Sequence, residues 1–189
     1  MRKLTYYIAL TIDGFIAAPD GSADFYPLGE DLLAHIASEY PETLPTHARK
    51  ALGVDSENKH FDTIVMGRAT YDPALREGIT SPYQHLRQYV VSRSLAASPD
   101  PAVHIVSGDP VAMVRELKEE DGLGIYLAGG GQLAGALLPE IDELIVKIYP
   151  VVAGSGTPMF SAEFSPLQFE LTAGRLFESG AAIMTYARK

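Results

Sequence analysis

The sequence contains no cysteine. This absence excludes disulfide bonds, thiolate metal sites and cysteine nucleophiles. Positive charge is also scarce, because 15 Lys and Arg residues stand against 24 Asp and Glu residues and give a net charge of −9. Such a balance argues against nucleic acid and against an anionic membrane surface as partners. It leaves room for an anionic cofactor, since local arginines can override the global sign.

Long apolar runs are missing as well. No stretch approaches the length of a transmembrane helix, and the first ten residues are typical of a strand rather than of a signal peptide. A hydrophobic fraction of 47% with 21% charged residues is that of an ordinary globular protein. The sequence therefore predicts one soluble, cytoplasmic domain over residues 1–189.

Short apolar runs alternate with helix-like segments along the chain. The clearest helix is predicted over Pro110–Glu120, where Asp109 can cap the first N–H groups. We expect Lys118 to face water there, and we predict a second helix over Glu30–Ser38. The alternation indicates an α/β fold with a mostly parallel central sheet, flanking helices and a C-terminal antiparallel hairpin. The predicted strands are Leu4–Thr11, Thr63–Met66, Gln88–Ser92, Val103–Val106, Ile125–Ala128, Leu144–Val151, Phe169–Phe177 and Ala181–Ala187.

Residues 39–60 fit neither the helical nor the strand period. They are polar and contain Pro41 and Pro45. We interpret them as an insertion over one edge of the sheet, with some helix around Thr46–Leu52. The insertion would lie near the substrate side, with Tyr40, His47 and His60 as candidate contacts.

Three glycines, Gly129–Gly131, interrupt an apolar run and are followed by a helix-like stretch. A strand that ends on glycines before a helix presents free backbone N–H groups to a phosphate. A tight turn without any ligand is the alternative interpretation of the glycines alone.

Two further loops carry arginines and hydroxyls directly after predicted strands. The first is the stretch Gly67-Arg68-Ala69-Thr70, and the second is Ser92-Arg93-Ser94. Ligands of open α/β sheets bind beyond the carboxyl ends of the strands, and arginine donates two hydrogen bonds at once to a phosphate. The three loops together predict a polyanionic cofactor.

The order of these motifs resembles that of the dihydrofolate reductase superfamily, in the branch that contains the reductase domain of bifunctional riboflavin-biosynthesis enzymes. The resemblance covers nearly the whole chain. It rests on the segments 9–17, 66–71, 91–93 and 129–131, followed by Leu137-Leu138-Pro139 and by residues 154–160.

The resemblance implies NADPH as the hydride donor, bound without flavin or metal. Backbone groups of Ala9 and Ile16 would hold the nicotinamide carboxamide, while Ser92 and Arg93 would lie near the adenosine 2′-phosphate. The remaining residues implied to contact the pyrophosphate, ribose or adenosine phosphates are Gly67, Arg68, Thr70, Gly129, Gly130, Gly131, Gln132 and Leu133. In folate reductases two of these glycines are joined by a cis peptide bond. Riboflavin-type relatives pair through this domain, so a homodimer is implied too, although composition does not require one.

The substrate side is less well defined by the sequence. Reduction of a C=N bond needs a proton donor, and the resemblance suggests Asp31 on the first helix, with Asp24 or an ordered water as the alternatives. The alternative role of Asp31 is that of a carboxylate at the helix N-terminus that complements the helix dipole. Lys147 stands where folate reductases have a small hydroxyl residue, which suggests a different, anionic or phosphorylated, substrate. The alternative is that the lysine simply faces solvent.

The sequence therefore predicts an NADPH-dependent reductase of a small heterocyclic, pterin- or pyrimidine-like, or carbonyl substrate. One alternative is a module that binds the nucleotide without turnover. A second is a Rossmann dehydrogenase, but its fingerprint should open the domain and be followed by an acidic residue at the end of the next strand. Here the glycines come late in the chain. The next predicted strand runs through Lys147 to Tyr149-Pro150 and has no acidic residue at its end, which counts against this alternative.

Overall fold

The computed structural model of the protein describes all of residues 1–189, and an eight-stranded sheet runs through its centre. The strands are β1 (Leu4–Thr11), β2 (Phe15–Ala17), β3 (Phe61–Gly67), β4 (Arg87–Val91), β5 (Val103–Val106), β6 (Gly124–Gly129), β7 (Glu143–Tyr149), β8 (Thr157–Pro158), β9 (Phe169–Leu176) and β10 (Ala182–Arg188). The helices are α1 (Glu30–Glu39), α2 (Thr46–Ala51), α3 (Arg68–Arg76), α4 (Pro110–Glu119) and α5 (Gly131–Ala136). None of these helices combines the length and the apolar character needed to cross a bilayer.

The strand order in the main sheet is β5-β4-β3-β6-β1-β7-β10-β9. The first six strands of this order run parallel, whereas β10 pairs antiparallel with both β7 and β9. Both the parallel sheet and the closing hairpin of the predicted fold are thereby confirmed. The carboxyl ends of the parallel strands meet at one edge, which is where ligands of such sheets bind.

Each face of the sheet is covered by its own apolar cluster. Tyr7 of β1 and Leu32 of α1 belong to the cluster on one face. Leu4 of β1, Val114 of α4 and Leu137 after α5 belong to the cluster on the other face. A central strand such as β7 therefore has no face that is open to water, as is usual for parallel sheets.

Helix α4 begins as predicted, with the Asp109 side chain accepting a hydrogen bond of 2.9 Å from the Val111 N–H. The expectation that Lys118 faces water is wrong. Its side chain is buried, its Nζ lies 2.7 Å from a carboxylate oxygen of Asp142, and it donates to the Glu140 carbonyl at 2.6 Å. The physical reason is that the chain after α5 supplies both partners, and burial of a paired lysine is far less costly than burial of a free one.

Residues 39–60 form a 3₁₀ turn, Pro41–Thr43, followed by α2. The turn buries Glu42 completely, and a carboxylate oxygen of this residue accepts the backbone N–H groups of His60 and Phe61 at 2.5 and 2.9 Å. The segment is thereby fastened to the start of β3. The Tyr40 ring packs at 5.1 Å from that of Tyr7, so the segment supports the sheet behind β1.

A two-stranded sheet of β2 and β8 lies beside the main sheet and has no counterpart among the predicted strands. The loop before β2 is held by Asp13, whose carboxylate accepts the N–H groups of Ala153 and Gly154 at 3.0 and 2.6 Å. These bonds, led by that from Ala153, lower the pKa of Asp13 to about 2. Asp13 therefore ties the loop after β1 to the loop after β7.

Candidate cofactor and substrate site

The three predicted cofactor loops follow neighbouring strands of the sheet. Strand β3 lies between β4 and β6, and Met66 of β3 is paired with Gly129 of β6. A Cβ on Gly67 would lie 3.5 Å from the Gly129 carbonyl oxygen, so these two loops are in direct contact. The arrangement brings the glycine run and the two arginine loops to the same edge.

A side-chain hydrogen bond joins the two arginine loops. The Arg68 Nη1 donates to the Ser94 Oγ at 3.1 Å, while its Nε donates to Asp72 at 2.9 Å. The Ser92 Oγ accepts the Leu95 N–H at 3.0 Å, which shapes the loop after β4. One guanidinium is thereby fixed at the edge, with hydroxyl groups around it.

The other residues expected in these loops differ in what their side chains can do. Arg93 and Gln132 are exposed, so their side chains can reach a ligand. The Leu133 side chain is buried in the apolar cluster beneath α5 and can offer a ligand only its backbone. Helix α3 begins at Arg68 without any side-chain cap, which leaves its first backbone N–H groups free for a ligand or water.

The glycine run has a backbone that other residues would not adopt. Gly129 has φ of +103°, a region that strongly favours glycine. The peptide bond between Gly129 and Gly130 is cis, as the resemblance implied. A Cβ on Gly131 would lie 2.2 Å from the Pro158 carbonyl oxygen, so the segment around β8 closes tightly over this glycine.

A cleft of about 350 Å³ opens beside the glycine run. Four of the residues expected to bind the cofactor line it: Ala9, Ile16, Thr70 and Gly130. The twelve other lining residues are Tyr7, Ile8, Ala17, Gly21, Ala23, Tyr26, Ala69, Pro73, Tyr126, Ala128, Lys147 and Thr157. Most of this wall is apolar or aromatic, which excludes water from a bound ring.

Lys147 points into the cleft instead of facing bulk solvent. Its Cα is opposite that of Ala9 across the β1–β7 pairing, and its Nζ lies 4.2 Å from the centre of the Tyr7 ring. Burial lowers the pKa of Lys147 from 10.5 to about 8, and no other group contributes to the shift. Lys147 is the single charged side chain among the lining residues.

Three tyrosines line the cleft, and burial is the largest influence on each of their pKa values. It raises that of Tyr26 to about 12 and those of Tyr7 and Tyr126 further. The Tyr26 hydroxyl donates to the Phe15 carbonyl at 2.9 Å, whereas the buried Tyr7 hydroxyl has no hydrogen-bond partner. At neutral pH these rings are therefore uncharged walls and weak acids.

Asp31, predicted as the proton donor, does not line the cleft. Its carboxylate accepts the N–H groups of Leu32 and Ser179 at 2.8 and 3.1 Å, which joins α1 to the turn between β9 and β10. Partial burial opposes the shift, but these hydrogen bonds lower the pKa of Asp31. Asp24 is exposed and also lies outside the cleft lining.

None of the candidate contacts from residues 39–60 lines the cleft either. Tyr40 stacks on His60 with ring centres 4.7 Å apart, and His60 Nε2 lies 2.9 Å from a Glu39 oxygen. Tyr40 also packs against the Tyr7 ring, with ring centres 5.1 Å apart, so it contacts a residue of the cleft wall from outside the cleft lining. No group of three or more His, Asp and Glu side chains is arranged to hold a metal ion.

A second concavity, of about 400 Å³, lies between α5 and the strand β10. Its cation is Arg188, whose Nη1 already donates to the Pro139 carbonyl at 2.8 Å. None of its lining residues belongs to the three loops, and its guanidinium is occupied by backbone carbonyls.

Comparison with known families decides to which group this architecture belongs. Residues 2–183 match the sequence profile of the RibD C-terminal domain. The chain belongs to the RibD C-terminal domain family. Among curated proteins, members similar to it include the uncharacterized proteins YwjB and YyaP of Bacillus subtilis. YwjB is 33% identical over 161 residues, which cover 84% of this chain and 83% of YwjB. YyaP is 25% identical over 198 residues, which cover 98% of this chain and 94% of YyaP.

Solved structures show the same RibD C-terminal and dihydrofolate reductase fold. A protein of Shewanella sp. PV-4 named for riboflavin biosynthesis superposes with a TM-score of 0.71 at 24% identity, covering 100% of this chain and 99% of the other. A diaminohydroxyphosphoribosylaminopyrimidine deaminase/5-amino-6-(5-phosphoribosylamino)uracil reductase of Thermotoga maritima superposes with a TM-score of 0.65 at 15% identity. The match covers 100% of this chain and 57% of the other. The dihydrofolate reductase of Enterococcus faecalis, solved with NADP(H), gives 0.69 at 17% identity and covers 99% and 96%. The family and the fold are thus those of reductases.

Proposed function

We propose that this protein is an NADPH-dependent reductase that transfers a hydride to a small heterocyclic or carbonyl substrate. The observation that carries the proposal is the convergence of three loops, after β3, β4 and β6, beside one apolar cleft. An extended dinucleotide needs both features, because its phosphates require cations and N–H donors while its nicotinamide requires a dry wall. Two of the loops are already joined by the Arg68–Ser94 hydrogen bond, so this part of the site is formed in advance.

The residues at this edge of the sheet support the following contacts with the cofactor. Arg68, the free N–H groups at the start of α3 and the backbone at Gly130 would hold the pyrophosphate region. Arg93 is exposed and makes no ion pair, so it is available for a 2′-phosphate. Ala9 and Ile16 line the cleft where the nicotinamide would lie. Bound there, NADPH supplies the hydride, and the chain orients the ring and keeps water away from it.

Selectivity for NADPH over NADH tests the cofactor proposal. Titration by fluorescence or calorimetry should give tighter binding of NADPH, and Arg93→Ala should remove most of that preference while NADH affinity changes little. Loss of one charge-assisted contact corresponds to about tenfold or more in affinity.

Arg76→Ala is the matched control, because Arg76 is also exposed and lies at the opposite end of α3 from the loops. It should leave both affinities unchanged. Equal affinity of the wild-type protein for NADPH and NADH, or no binding of either, would refute the assignment.

A module that binds the nucleotide without turnover is the second candidate. It is favoured by one observation: no carboxylate lines the cleft, so the proton donor of folate-type reduction has no counterpart there. NADPH consumption distinguishes the two candidates. Screening carbonyl compounds and oxidised pterins and pyrimidinones should reveal turnover for a reductase and none for a binding module.

We also propose that the chain forms a homodimer through the edge of the sheet at β9. This strand is exposed along nearly its whole length and carries the apolar side chains of Leu171 and Leu176, which are 52% and 82% exposed. Long exposed edges with apolar residues tend to pair. Light scattering coupled to size-exclusion chromatography measures the mass directly, and a monomer at micromolar concentration would refute the pairing.

A further inference from the structure

The cleft contains one charged side chain and nothing of opposite charge. Lys147 contacts the face of Tyr7, and the lining residues include no aspartate or glutamate. A lysine in such surroundings normally pairs with a carboxylate, because an isolated charge is costly even when it is only partly buried. Its unpaired state indicates that the compensating group arrives with a ligand.

The position of Lys147 relates it to the reacting end of the cofactor. Its Cα is opposite Ala9, the residue expected to hold the nicotinamide carboxamide. Both side chains emerge on the face of the sheet that lines the cleft. A substrate lying against the nicotinamide would therefore be within reach of the lysine.

Other candidate acids are occupied or lie elsewhere. The Asp31 carboxylate accepts hydrogen bonds at the start of α1, and Glu42 is buried behind Tyr7 with one oxygen bound to backbone N–H groups. The Tyr26 hydroxyl donates a hydrogen bond to the Phe15 carbonyl. Lys147 is thus the ionised N–H donor that the cleft presents.

We propose that Lys147 binds and protonates the acceptor oxygen of a carbonyl substrate, and that the cleft selects carbonyl compounds over cationic or guanidine-like heterocycles. This inference rests on the proposed reductase function and names its substrate class. A protonated pterin or pyrimidine would place positive charge beside Lys147 with no carboxylate to bind it, which disfavours that class. A carbonyl oxygen gains negative charge during reduction, and an ammonium group stabilises this charge.

The atoms of the step balance as follows. The carbonyl carbon takes a hydride with its electron pair from NADPH, which becomes NADP⁺, and the C=O π pair moves to the oxygen. That oxygen takes a proton from the Lys147 Nζ. The product is an alcohol, and the neutral amine regains its proton from solvent at the mouth of the cleft.

The titratable groups around Lys147 are tyrosines, and each has its pKa raised, chiefly by burial. Strand β10 faces Lys147 with Ile183, and α1 contributes apolar side chains to the same cluster. Glu42 is the carboxylate of the 3₁₀ turn, and its charge contributes to raising the pKa of Tyr7. The tyrosines in question are Tyr7 of β1, Tyr126 of β6, Tyr149 of β7 and Tyr26 of the loop before α1. Between pH 7 and 9, Lys147 is therefore the group of the cleft that changes its charge.

A pair of planar probes with opposite charges tests the binding part without turnover. Benzoate and benzamidine have the same ring, and their binding is followed by NMR or calorimetry on the protein saturated with NADPH. We expect benzoate to bind and benzamidine not to bind. Lys147→Met should lower benzoate affinity by about tenfold or more, and wild-type affinity should fall as the pH rises through about 8. Lys3→Met is the control, since Lys3 lies at the other end of the sheet, near Glu143.

Lys147→Arg separates binding from proton transfer. Arginine keeps the positive charge but does not release a proton near neutral pH. With benzaldehyde and related aromatic aldehydes we expect NADPH consumption by the wild-type protein. Lys147→Arg should keep benzoate affinity and KM within a few fold but lower kcat by about 100-fold, the scale of general acid catalysis.

The outcomes distinguish this inference from the function on which it rests. If NADPH does not bind the wild-type protein, the proposed function fails. If NADPH binds, four results would overturn the Lys147 proposal alone. Two concern binding: benzamidine binds more tightly than benzoate, or benzoate affinity is unchanged in Lys147→Met. Two concern turnover: pterins are reduced while aldehydes are not, or Lys147→Arg retains full kcat.

Discussion

Replacement of Lys147 by methionine should stabilise the protein and, on the proposed function, abolish carbonyl reduction. Methionine has a similar length, fills the same space and carries no charge. Burial lowers the pKa of Lys147 from 10.5 to about 8, and each pKa unit corresponds to about 1.4 kcal/mol. The penalty for keeping the ammonium in the folded protein is therefore about 3 kcal/mol at neutral pH.

Two effects reduce the expected gain. The side chain is only partly buried, and the wild-type ammonium keeps its contact with the Tyr7 ring, which is worth about 0.5–2 kcal/mol. We expect Lys147→Met to raise the free energy of unfolding by about 1–2 kcal/mol at pH 7. In a chain of this size that corresponds to about 2–8 °C in Tm.

The stability difference between Lys147→Met and wild type should depend on pH. Below pH 8 the lysine is protonated in both the folded and the unfolded chain, so the whole penalty is present. Between pH 8 and 10.5 the folded protein has lost this proton and the unfolded chain keeps it, and wild-type stability therefore rises relative to the variant. The advantage of Lys147→Met should thus shrink as the pH rises and vanish near pH 10.5.

Urea unfolding of wild type, Lys147→Met and Lys3→Met at pH 7 and pH 10 measures these differences. Lys3 is 65% exposed at the surface, so its replacement should change stability little at either pH. The reasoning is refuted if Lys147→Met is less stable than wild type at pH 7, or if the difference between them does not depend on pH.

Further substitutions test other parts of the structure. Gly131→Ala would place a Cβ 2.2 Å from the Pro158 oxygen, and we expect a loss of about 1–3 kcal/mol in unfolding experiments together with weaker NADPH binding; unchanged affinity would contradict the packing of β8 on the glycines. Asp31→Asn should lower Tm and leave kcat within about twofold, because its carboxylate is bound to Ser179, whereas a large loss of kcat at unchanged Tm would restore Asp31 as the acid. Asp13, with its pKa lowered to about 2, should keep its bonds well below its usual titration range and lose them near pH 2, so hydrogen exchange at Gly154 should stay slow at pH 4; fast exchange there would exclude the contact. Leu171→Lys on β9 should convert a dimer into monomers in light scattering, and a dimer that survives would place the interface elsewhere.

Local signals allowed much of the fold to be predicted. Helix α4 begins where Asp109 and Pro110 indicate, because capping depends on neighbouring residues. The loops at Gly67, Ser92 and Gly129 are predicted for the same reason, since a turn after a strand depends on residues adjacent in sequence. Local signals do not predict the short pairing of β2 with β8, because the few residues that pair are separated by more than 130 positions in the sequence.

The substrate side depends on contacts between distant segments. Lys147 points into the cleft because its strand is covered on both faces. The signal for this in the sequence is that apolar residues, Ile145 and Ile148, occupy both faces of β7. The burial of Lys118 depends on Asp142, which lies 24 positions later in the sequence. The structural contact of Asp31 depends on a hairpin turn at Ser179 near the other end of the chain. Patterns within one segment contain no information about these partners.

The fastening of residues 39–60 by Glu42 has a consequence for how the protein can diversify. The loops that would hold the cofactor come from β3, β4 and β6, whereas the support behind Tyr7 comes from a separate piece of chain. Substitutions at Tyr40 would act on the cleft through the Tyr7 ring, which Tyr40 contacts, and not through the three loops. The part of the chain behind Tyr7 can therefore vary in sequence independently of the three loops proposed to hold the cofactor.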